Sequence, residues 1–132
     1  MARASALLLL LPFVASCSPP ENPADRYLRF AEAARAGRSA QVWAMLSARS
    51  RQGLKERARA LAGEKAPAGV EIGAADLVLG GLSPTAPKVK SVTVLRESSG
   101  AAVLSVEEVG GVRGEVSMVR EGGDWRVELP GG

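Results

Sequence analysis

The chain of 132 residues contains no histidine and a single cysteine. Without imidazole there is no Ser-His-Asp or Cys-His nucleophile system, no imidazole acid or base and no histidine metal ligand. One cysteine forms no intramolecular disulfide and no thiolate cluster for zinc or iron–sulfur. Aromatic residues are only 4% of the chain, and the net charge is just +3. So modest a charge does not suit a dedicated nucleic-acid binder. No residue pattern calls for a metal or a cofactor. The length suits one ordinary domain.

What is present begins at the N-terminus. Arg3 is a short positive region, and the apolar run Ala4 to Ala15, centred on Leu7 to Leu11, follows it. Twelve residues are too few to span a bilayer as a helix, which takes about 20. They have the size and flanks of a signal-peptide core. Val14-Ala15-Ser16-Cys17 resembles the bacterial lipobox: a branched apolar residue, two small residues, then cysteine. Pro19 and Pro20 stop a helix from continuing. The resemblance implies a lipoprotein signal peptide over residues 1–16. Cys17 then becomes the first mature residue, lipidated at sulfur and amine, and 17–21 is a short tether. Each buried CH₂ contributes about 0.8 kcal/mol and a single chain gives only marginal attachment; the three chains of this modification anchor the protein firmly. Ser18 stands where an aspartate would favour inner-membrane retention, so the expected location is the cell envelope, on the outer membrane facing the periplasm. The four residues from Ser18 to Glu21 reach at most about 14 Å, which holds the domain close to the bilayer.

Residues 22–132 read as a single α+β domain. Asn22 suits an N-cap, Pro23 the first helical position and Asp25 the positive end of the helix dipole. Tyr27, Phe30, Ala31 and Ala34 then fall on one face, and Gly37 is a natural stop. Ser39 is expected to cap a second helix carrying Val42, Trp43, Met45 and Leu46. Ser47 is expected to cap a third, with Leu54, Ala58 and Leu61 inward and Gly63 at its end. Helices thus occupy 22–63. A connection rich in glycine and proline fills 66–87 and has no assigned structure. Over 88–129 the period changes: Lys88–Arg96, Ala101–Glu108, Val112–Arg120 and Asp124–Leu129 are rich in valine and separated by glycine-containing gaps, the pattern of a four-stranded antiparallel meander. Charge divides along the same line, with ten bases and five acids from Ser18 to Lys65 and six bases and nine acids after it. Basic helices read first as solvated faces; a second reading turns Arg26, Arg29, Arg35 and Arg38 toward anionic head groups.

Tyr27-x-x-Phe30-Ala31 closing in Ala36-Gly37, then Met45-Leu46-Ser47, then the hairpin Val119-Arg120-Glu121-Gly122-Gly123-Asp124-Trp125-Arg126-Val127-Glu128-Leu129-Pro130 together resemble small bacterial lipoproteins of the nuclear-transport-factor-2-like (SnoaL-like) superfamily. The resemblance implies helices packed on a curved, cone-like sheet, often with a pocket, and frequent dimers. The 66–87 segment departs from the usual layout.

Some enzymes of that superfamily use pocket carboxylates with histidine or tyrosine. The carboxylates to weigh here are Glu107, Glu108 and Asp76, with Tyr27 beside them. Neighbours in a strand point to opposite faces, so one of Glu107 and Glu108 faces inward; both also read simply as solvated strand-end carboxylates. With no histidine partner the domain reads as non-catalytic. In Ala101 to Val106 both parities are largely apolar, the pattern of a sheet covered on both faces. This points to an interaction or assembly module of the envelope, with a homodimer or an envelope protein as partner besides the membrane lipid. A small-molecule-binding or vestigial enzyme domain with an apolar pocket is the alternative. Trp125, Trp43, Tyr27 and Phe30, the only aromatics after Cys17, are expected in the core.

Overall fold

A computed structural model describes residues 21–64 and 88–131. Cys17, the lipobox, the 66–87 connection and Asp76 lie outside the described residues. Three helices, α1 (Pro23–Arg35), α2 (Ser39–Met45) and α3 (Ala48–Glu64), precede four strands, β1 (Val89–Glu97), β2 (Ala101–Glu108), β3 (Arg113–Glu121) and β4 (Asp124–Glu128). The strands form one open antiparallel sheet in the order β1-β2-β3-β4. The domain is therefore α+β, helices first and meander second.

The ends of α1 follow from its sequence. The Asn22 side-chain oxygen accepts the Asp25 N–H at 2.9 Å, and Pro23 occupies the first turn, where a missing N–H costs nothing. At the far end Gly37 takes φ +72°, which lets the Arg38 N–H reach the Ala33 carbonyl and the Gly37 N–H the Ala34 carbonyl. These two bonds close a Schellman motif. Phe30, Ala33 and Ala34 are buried, whereas Ala31 is only half-buried. The same closure corrects the role of Ser39. The carbonyl that starts α2, bonded by the Val42 N–H, belongs to Arg38, and no side chain caps this helix. Ser39 is its first helical residue.

Ser47 does cap α3: its hydroxyl accepts the Ser50 N–H at 3.1 Å, and its carbonyl accepts the Arg51 N–H. The Glu121 carboxylate, from the β3–β4 hairpin, accepts the Ala48 N–H at 2.9 Å and adds negative charge at the helix start. Leu54 and Ala58 are buried as expected. Leu61 is 41% exposed, and Gly63 lies within the last turn rather than after it. Leu61 lies about three helical turns beyond Ser47 and Ser50, where α3 is bonded to β4.

On the sheet, Ala102, Leu104 and Val106 of β2 pair laterally with Met118, Val116 and Gly114 of β3, and Met118 with Val127 of β4. This face meets Phe30, Val42, Met45, Leu46 and Leu54 in one contiguous core. Trp125 and Phe30 are buried within it, while Tyr27 and Trp43 are half-buried at its margin. The opposite face is not the second apolar surface that β2 suggested. Val103 sits between Arg96 and Ser117, and Ser105 between Thr93 and Glu115. The apolar second parity is thus a property of one central strand, where β-branched residues are favoured by fit to the pleat. Two irregularities in β1, between Val89 and Ser91 and between Val94 and Arg96, shift its register. Because side chains alternate with period two, each shift re-aims the residues that follow.

Candidate functional site

The β3–β4 hairpin sets the geometry of the site. Gly122 (φ +60°) and Gly123 (φ +86°) make a two-residue turn closed by Glu121 and Asp124. From that pair outward, Val119 faces Arg126 and Ser117 faces Glu128. β4 then ends, but β3 continues for four more residues toward its start. Beside this overhang lies a cleft of about 460 Å³. Tyr27 and Phe30 of α1 form one wall, Val116 of β3 and Leu129 the floor, and Arg49, Glu115 and Glu128 the polar rim. Arg49 and Glu128 approach to 3.9 Å. A second groove, about 400 Å³, runs between α1 and the start of β1, past Leu28, Ala31, Arg35 and Val89.

The two adjacent carboxylates at the end of β2 separate as the pleat requires. Glu107 is on the outer face, within 3.4 Å of Arg113 and 3.8 Å of Lys90. Glu108 shares the inner face with Val106 and acts on Tyr27. The Tyr27 phenol has its pKa raised above 10.0, chiefly by burial and secondarily by the Glu108 charge. At neutral pH Tyr27 is therefore a neutral hydroxyl, suited to hydrogen bonding rather than to taking up a proton. Among the described residues no group of three or more carboxylates is placed to hold a metal ion, and no helix is long and apolar enough to cross a membrane.

Two of the four arginines expected to face head groups have internal partners. Arg29 pairs with Glu21 at 2.8 Å; Arg26 approaches Glu21 at 3.6 Å and donates from Nε to the Trp125 carbonyl at 3.1 Å. Arg26 is thus part of the joint between α1 and β4, while Arg35 and Arg38 remain exposed. The Trp125 indole N–H has no partner among the described residues; its ring instead carries the Arg120 guanidinium 4.7 Å from the centroid.

Sequence reasoning missed Glu115, Val116 and Glu128 as site residues. The signal was available. Counting outward from the Gly122-Gly123 turn puts Pro130 opposite Glu115, and proline has no N–H with which to continue the ladder. Compared with known proteins, the chain matches no family model, no curated sequence and no solved structure.

Proposed function

We propose that this protein is a bacterial lipoprotein, anchored through acylated Cys17 and facing the periplasm. Its single domain is a non-catalytic interaction module of the cell envelope with a nuclear-transport-factor-2-like, cone-shaped arrangement of helices on sheet. The observation that carries the module reading is the make-up of the cleft. Its walls are apolar side chains, its near side is a strand that extends past its neighbour, and its tyrosine is held neutral. Such a surface recognises by shape and main-chain contact. The anchor is supported by the coincidence of Arg3, the apolar run, the small residues and Cys17.

Expression in a bacterial host with radiolabelled palmitate tests the anchor. Label should enter the native chain and not Cys17→Ser, and the variant should leave the membrane fraction. A labelled Cys17→Ser chain, or an unlabelled native one, refutes it. In-cell crosslinking from Glu115 tests the module reading, which predicts a discrete adduct with an envelope protein; a chain that forms none at any growth stage defeats that reading.

The apolar wall formed by Tyr27, Phe30, Val116 and Leu129 supports a second reading, a small-molecule binder. Native mass spectrometry of the purified protein distinguishes the two: a co-purifying apolar ligand displaced by Phe30→Trp favours the binder.

A further inference from the structure

Among the described residues, the sheet has one edge that the fold covers and one short stretch that it leaves bare. β4 is an edge strand, and exposed edges invite unwanted pairing. Its outward main-chain groups are taken up in turn. The Trp125 carbonyl accepts Arg26 Nε–H at 3.1 Å, the Val127 carbonyl accepts the Ser47 N–H at 2.9 Å, and the Leu129 N–H donates to Ser50 Oγ at 2.8 Å. Alternation of the ladder from the Glu121–Asp124 pair makes Val119–Arg126 and Ser117–Glu128 bonded pairs. By the same parity Arg113 and Glu115 point their N–H and C=O groups to the β4 side, where β4 no longer runs. The chain turns away at Pro130 and Gly131. Among the described residues no backbone bond is made to Arg113 or Glu115 from that side. β1, the other edge, is interrupted by its two register shifts, a common protection.

We propose that the Arg113–Glu115 overhang of β3 accepts an extended segment of a partner protein as an added strand, continuing the line of β4 beyond Leu129. The proposal deepens the interaction-module reading and rests on it. Main-chain bonds to Arg113 and Glu115 supply affinity, and the cleft supplies selectivity. A residue opposite Glu115 lies on the outer face, beside the Glu115 carboxylate and along the line of Glu128. It is basic. The residue next to it, on the side away from Leu129, turns to the inner face, toward the cleft walled by Tyr27, and is apolar. The partner segment therefore carries one basic residue beside an apolar one; the next outer-face position lies beside Arg113 and is not basic.

The test uses the purified full-length protein in neutral detergent and an acetylated, amidated pentapeptide with a single central lysine among valines. In the free protein the Arg113 and Glu115 amides should exchange at least about 100-fold faster than Gly114 and Val116, which bond to β2. Saturating peptide should slow them by about tenfold or more. A peptide N-methylated at its central residue, or one with glutamate in place of lysine, should not. Glu115→Pro removes the N–H from the open side only, where proline is tolerated; it should keep the urea midpoint and lose peptide binding. Should that variant not fold, Glu115→Lys should reverse the preference from the lysine peptide to the glutamate peptide. Protection of Glu115 in the free protein overturns the proposal: if independent of concentration, another part of this chain covers the edge, and if it grows with concentration, a second copy does. Absence of binding, or binding indifferent to N-methylation, overturns it too. None of these measurements involves the bilayer, so a failed edge leaves the anchor standing and a failed anchor leaves the edge standing.

Discussion

Replacing Ser50 by alanine should destabilise the domain, although alanine is the better helix former by about 0.5 kcal/mol. Ser50 is 1% exposed and Ser47 is fully buried. Ser50 Oγ accepts from the Leu129 N–H at 2.8 Å and from the Ser47 hydroxyl at 2.9 Å. The substitution strands both donors; the buried Ser47 hydroxyl left unsatisfied costs about 1–3 kcal/mol and the half-buried Leu129 amide about 1 kcal/mol, the low end of that range. After the propensity gain the net loss is about 1.5–3.5 kcal/mol. With a urea m-value near 1.5 kcal/mol per M, the midpoint read by Trp125 fluorescence should fall by roughly 1–2.3 M. Ser47→Ala removes the cap from the Ser50 N–H and should cost about 0.5–2 kcal/mol. The double variant should cost less than the sum, because it removes one of the donors that Ser50→Ala strands. A midpoint shift below about 0.3 M for Ser50→Ala, or strict additivity, would refute the linked-hydroxyl account of how α3 is held to β4.

Three further outcomes are expected. Trp125→Ala empties the largest buried aromatic site and should cost about 3–5 kcal/mol; a urea shift under half that size counts against its place in the core. Tyr27 has a raised pKa, so the unfolded chain loses its phenolic proton first as pH rises. Its contribution is therefore complete below pH 10 and is lost as pH climbs through the folded value; ultraviolet titration should place phenolate formation above 10 and Glu108→Gln should lower it. Gly123→Val forces a β-branched residue to φ +86° and should destabilise by at least about 1 kcal/mol, whereas Gly100→Val, at ordinary φ with open space around it, should cost less; equal costs would remove the argument from backbone conformation.

Local chemistry was legible in the sequence and tertiary chemistry was not. The cap at Asn22, the stop at Gly37, and strands separated by glycine turns are all dictated within a few residues, and the four strand runs lie within a residue or so of their observed ends. Trp125 and Val127 alternate inward along β4, and Leu129, one residue past its end, packs against the core. Ser39 was misassigned because the Schellman bonds of α1 decide where α2 begins. Leu61 was placed inward because helical periodicity does not register how far along a helix its tertiary contacts run. The parity of Glu107 and Glu108 needed the anchoring of Val106 in the core, two residues before Glu108. Of the expected site residues, Cys17 and Asp76 lie outside the described region, Tyr27 lines the cleft, and Glu107 is turned away from it into ion pairs.

The clamp on Glu21 has a mechanical consequence. With the Cys17 anchor and the partner proposed above, the chain would be pulled through its N-terminus whenever that partner moved relative to the bilayer. The tension would enter the fold at Glu21, where Arg26 and Arg29 hold the incoming chain against the first turns of α1. Arg26 would pass it on, through the Trp125 carbonyl, to β4, whose outward groups are also bonded to Ser47 and Ser50. The load would thus be delivered to the sheet within the first six described residues, and α1 would be spared from unwinding one turn at a time.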